Sequence, residues 1–167
     1  MKLNALVIGL FALPVMATAA DAPDASFYKK AAEGGLAEVQ MGQLAQEKSN
    51  NPAVKDFGAM MVKDHSAAND KLKSIAATKN ISLPTSPSVG EMASKEKLKV
   101  LSGETFDSSY IKGMVKDHEE DIKEFQQEAK NGQDPDAKAF AAATLPTLQR
   151  HLKKVRAIAA ANNVSVD

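Results

Sequence analysis

The chain has 167 residues, 21 basic and 21 acidic, with no cysteine and no tryptophan. Zero formal charge gives no electrostatic reason to expect nucleic acid or an anionic membrane as a partner. The lack of cysteine excludes disulfide staples and thiolate chemistry, so packing alone must stabilise the fold.

Met1-Lys2, an apolar run from Leu3 to Met16 broken by Pro14, and then Ala17-Thr18-Ala19 follow the order of a secretory signal peptide. Cleavage is expected after Ala19 or Ala20, leaving a periplasmic or otherwise exported domain over residues 21–167. No later stretch reaches the ~20 apolar residues that a membrane-spanning helix needs. A cysteine for lipid attachment is missing at the cleavage point.

Beyond Asp21, apolar residues recur at three and four positions, β-branched runs are scarce and alanine is abundant, which predicts an all-α protein. A first helix is expected over about 26–48, capped by Ser26 and carrying Gly34 and Gly35. Each glycine costs about 1 kcal/mol there, a cost that makes sense where a neighbouring helix or a ligand must come close. A second, over 52–79, opens on Asn51-Pro52, a cap followed by proline at the first helical position. The crossover 80–106 carries Pro84, Pro87 and a short helix from Glu91 to Leu101 that Ser102-Gly103 would end. A third long helix is expected over about 107–131. The fourth, over 135–161, opens on Asp134-Pro135 and carries Pro146, where a kink is expected. Two hairpins joined by one long crossover is the connectivity of a ferritin-like four-helix bundle; an up-and-down bundle with a decorated middle loop is the alternative.

The phrase Met-Val-Lys-Asp-His occurs at 61–65 and again at 114–118, although the chain has only three histidines. His65 falls on the apolar seam of Val54, Gly58, Met61, Ala68 and Leu72, and His118 on that of Ile111, Met114 and Phe125. His151 lies on the stripe of Ala141, Leu148, Val155 and Ile158, where Leu152 competes with it for the inward position. Glu38 shares a face with Gly34, Met41 and Ala45. The four groups lie 11 to 16 residues into their helices, which places them at mid-length of rods about 38 Å long. Three imidazoles and a carboxylate at one height form a ligand set for zinc, copper or iron. Met61 and Met114, one turn before their histidines, would favour copper, and Asp121 is a further candidate ligand. The competing reading is a buried polar network without metal, with Asn69 and Asp121 satisfying the rings. Asp64 and Asp117 point about 100° away from their own histidines, toward water or an adjacent helix.

Ala45 to Pro52, Phe57 to Leu72, Leu101 to Tyr110, Lys116 to His118 and Leu145 to Leu152 together resemble an exported bacterial family, the domain of unknown function 4142. The resemblance covers nearly the whole mature chain. It implies a ferritin-like four-helix bundle, with Glu38, His65, His118 and His151 at positions of the family pattern, and it brings no established activity. The membrane or outer-membrane label often attached to that family finds no support in the mature sequence.

Di-iron members of the ferritin-like group need Glu-x-x-His pairs, whereas Val62, Val115 and Leu148 stand three before the histidines here. The function expected is binding of one transition-metal ion for metal handling or stress resistance, with no catalytic residues. The alternative is a structural or envelope-stress interaction protein. A hydrolase or redox enzyme is the weakest reading, lacking any nucleophile motif or phosphate loop. Protein partners are not indicated, and a homo-oligomer stays open.

Overall fold

In the computed structural model, residues 23–166 are described, and the expected signal peptide lies outside them. Among the described residues the protein is all-α with five helices: α1 (Ala25–Lys48), α2 (Pro52–Thr78), α3 (Val89–Lys99), α4 (Gly103–Asn131) and α5 (Pro135–Ala161). None is long and apolar enough to cross a membrane.

Local chemistry sets most boundaries. Asn51 and Asp134 cap α2 and α5, each accepting from the backbone N–H two residues on at 2.9 Å, with proline next in line. Ser88 and Glu91 form a reciprocal capping box at the start of α3. Two expectations are corrected. Asp24, not Ser26, caps α1, in a left-handed conformation with φ 58°. Its carboxylate accepts instead from the N–H groups of Gln133 and Asp134 at 2.7 and 2.6 Å, tying the start of α1 to the α4–α5 turn. Gly103 does not end the short helix: with φ +56° it opens α4, four residues earlier than Asp107. The helix α5 runs without a break through Pro146.

Helix α1 packs along α2 and α4 along α5; the hairpins meet through α2 with α5 and α1 with α4, and α3 lies against α1 and α4. At Gly42 and Gly58 the first hairpin closes tightly, since a Cβ on either would stand 2.6 Å from the other's carbonyl oxygen. One apolar cluster gathers the end of α1, the start of α2 and the start of α4 around Phe57, Met61, Phe106, Tyr110 and Met114. The other gathers the opposite ends around Phe27, Tyr28, Leu72, Phe125 and Phe140. Helices α2 and α4 therefore run the same way, and the segment carrying α3 returns along the length of the molecule between them.

A candidate metal centre of three histidines

The three histidines fill the layer between those clusters. His65 lies between Met61 and Leu72 on α2, His118 between Met114 and Phe125 on α4, and His151 between Leu148 and Val155 on α5. Their exposures are 7%, 0% and 0%, whereas Leu152, the rival for the inward position, is only partly buried. One nitrogen from each ring lies within 4.8 Å of the others, the one such group of three metal-ligating side chains among the described residues. Phe57 flanks the layer, its ring 6.3 and 6.4 Å from those of His118 and His151.

Hydrogen bonding decides which nitrogens carry protons. His118 Nδ1 is 2.9 Å from the carbonyl oxygen of Met114, which can only accept, so Nδ1 holds the hydrogen and Nε2 a lone pair. His151 Nε2 is 2.9 Å from Asp64 Oδ2. Burial alone would raise the Asp64 pKa, but its bonds to His151 and Arg150 outweigh that and hold it below the usual value. The carboxylate is therefore an acceptor, His151 Nε2 donates to it, and Nδ1 keeps its lone pair. His118 Nε2 and His151 Nδ1 face each other at 3.3 Å. With both outer nitrogens protonated, no hydrogen lies between them.

Burial, with the like charge of His118 and His151 added, pushes the His65 pKa down to about 3. Burial and His151 push His118 down to about 4, and burial lowers His151 despite Asp64. All three rings are thus neutral at pH 7. His65 Nε2 is buried with no hydrogen-bond partner. A cation at ~2.0–2.1 Å from two imidazole nitrogens in tetrahedral geometry separates them by ~3.3 Å, the separation already present between His118 and His151.

Glu38 is brought to the same level but to a different side. It is 4% exposed, and its Oε1 lies 3.6 Å from His118 Nδ1, the outer nitrogen. It backs the ring rather than facing the inner nitrogens, in the company of Glu91, Asp117 and Asp121. Asp121 belongs with that acidic group. Met61 and Met114 are buried in the core one turn before their histidines, and Met114 also supplies the carbonyl that orients His118. Asn69 packs its amide against Gly35, where a Cβ would collide with it. Asp64 is the participant that the sequence reading left facing water or an adjacent helix. Its 100° offset from His65 carries it to α5, and Arg150, next to His151, was the sign of a carboxylate partner there.

The fold and the site together define an all-α helical protein with a buried three-histidine centre. The chain belongs to the family described as domain of unknown function (DUF4142), whose pattern matches residues 12–158. No curated protein matches it. It is similar in structure to a DUF305 protein of Streptomyces coelicolor, described as a candidate secreted protein, with a TM-score of 0.73 at 12% identity over 86% of this chain and 96% of that one. CopM, solved in a silver-bound form, is similar with a TM-score of 0.66 at 14% identity over 80% of this chain and 93% of that one. At such identities the likeness is one of fold.

Proposed function

We propose that this protein is an exported, periplasmic ferritin-like four-helix bundle, with α3 carried on its crossover, that binds one soft transition-metal ion between His65, His118 and His151. The observation that carries the reading is the pair of inward lone pairs 3.3 Å apart, each enforced by an acceptor on the outer nitrogen of its ring, beside the unpartnered His65 Nε2. A purely structural polar network would put hydrogens between those atoms, because buried polar groups left unpaired cost about 1–3 kcal/mol each.

Softness favours an ion of the Cu(I) or Ag(I) class. The rings are neutral, and Asp64, shared with Arg150, is the one carboxylate hydrogen-bonded to a ligand ring. Imidazole suits copper, and the thioethers of Met61 and Met114 on the same seams tilt the surroundings further that way. The silver-bound state of CopM supports the same class. Asp64 and the Met114 carbonyl would orient the ligand rings, and a bound ion would supply tight retention of metal rather than bond-making. The cavity reaching His65 is about 30 Å³, roughly the room of one water.

Competition for Cu(I) against a coloured chelator under anaerobic conditions tests the proposal. One equivalent withdrawn by the full chain, and none by His118→Gln, is the expected result; no withdrawal by the wild type would refute it.

A further inference from the structure

Behind the histidine layer, the cleft between α1, α3 and α4 holds a cavity of about 140 Å³ walled by Glu38, Glu91, Asp117 and Asp121. Glu38 Oε2 is buried there without a hydrogen-bond partner on a side chain 96% removed from solvent. Burial, with the like charges of Asp121, Asp117 and Glu91 close by, holds the Glu38 pKa well above the usual carboxylate value. Gly34 stands at the wall: a Cβ there would make ordinary contact with Glu91 Oε1 at 3.7 Å and Asp121 Oδ1 at 4.0 Å. The other oxygen of Glu91 is occupied by the backbone N–H of Ser88 in the capping box, which fixes the side chain so that Oε1 is left toward the cleft. Among the described residues no lysine or arginine forms an ion pair with Glu38, Glu91, Asp117 or Asp121.

From this geometry we propose that Glu38, Glu91, Asp117 and Asp121 form a second cation site, distinct from the histidines, for a hard divalent ion that keeps part of its water. Oxygen donors alone select an ion of the Ca²⁺ class over the soft ion of the histidine layer. Unlike the histidine nitrogens, these carboxylates do not gather within 4.8 Å of one another, and the cavity of about 140 Å³ has room for about four waters at ~30 Å³ each, so an ion would be held partly through water. An ion there would give Glu38 Oε2 its missing partner, either directly or through water. Gly34 and Asp121 also line the cavity that reaches His65, so the outer site adjoins the approach to the inner one.

Calorimetric titration of Ca²⁺ into the metal-free full chain, its Asp121→Asn and Glu91→Gln variants and His65→Gln tests this. Glutamine keeps the α3 capping box, so Glu91→Gln serves even if Asp121→Asn folds poorly. One Ca²⁺ per chain, bound equally by His65→Gln and at least tenfold more weakly by the two carboxylate variants, is the expected result. No binding by the wild type, or binding unaffected by both carboxylate variants, or binding lost with His65→Gln, would overturn the second site. Failure of the soft-metal reading would show instead as loss of Cu(I) competition, leaving the Ca²⁺ heats untouched.

Discussion

His65, His118 and Asp121 respond to acid in opposite senses, and that opposition can be measured. The histidines are neutral when folded, at about 3 and about 4, but protonate near 6.5 when unfolded. Between those values the unfolded chain binds more protons, so their contribution to stability falls as pH drops through the window. Burial and the neighbouring Asp117 raise Asp121 to about 7, and burial with Glu120 raises Asp117 to about 6. From about 4 up to those values the folded chain binds more protons, so the carboxylates cost stability as pH rises. Asp121→Asn should therefore steepen the loss of melting temperature on acidification from pH 6.5 to 4.5, and His65→Gln should flatten it. Parallel curves for the wild type and both variants would contradict the assignments. Asp64→Asn keeps the shape of the side chain while removing the charge that orients His151. Such outer-shell changes cost 10- to 100-fold in metal affinity, so Cu(I) competition should weaken by that factor while the metal-free melting temperature moves little.

At the scale of the elements, the tight spots make separate predictions. Gly42→Ala would push a methyl into the Gly58 carbonyl and force α1 from α2, at a cost of about 1–3 kcal/mol readable by urea unfolding. Asp24→Ala would strip two backbone N–H groups at the α4–α5 turn of their acceptor, costing about 1–2 kcal/mol with the histidine layer unchanged. Much of this architecture was legible in the sequence, because Asn51-Pro52 and Asp134-Pro135 carry their capping chemistry within two residues. What resisted reading depended on distant partners. The Asp24 carboxylate is held by residues more than 100 positions away rather than by its own helix, so Ser26 reads as the better cap. Gly103 reads as a stop from its neighbours, yet its positive φ turns the chain from α3 into α4. Spacing along each helix put Glu38 and the histidines at one height. It says nothing of the angle around the bundle axis, which the packing of α1 against α4 decides, and that angle turns Glu38 to the outer nitrogen of His118.

For the whole molecule, the parallel run of α2 and α4 is that of a long crossover rather than an up-and-down arrangement, and it puts both copies of the Met-Val-Lys-Asp-His phrase on helices of the same direction. Each delivers a methionine and then a histidine, in the same direction, to one layer between two apolar clusters. An ion held there links α2, α4 and α5, so binding must stabilise the entire fold. At free ion 1,000 times above Kd the gain is about 4 kcal/mol, seen as a rise of several degrees in melting temperature that His118→Gln should abolish. The central claim, that three inner imidazole nitrogens hold a soft ion, is tested most directly by nitrogen NMR of the ¹⁵N-histidine-labelled chain during titration with Ag(I). The account predicts Nδ1–H at His118 and Nε2–H at His151 before metal is added. At one equivalent, the inner nitrogens of all three rings should shift together. Ring nitrogens that stay unmoved while the protein takes up silver elsewhere, or protons found on the inner nitrogens of His118 and His151, would contradict it.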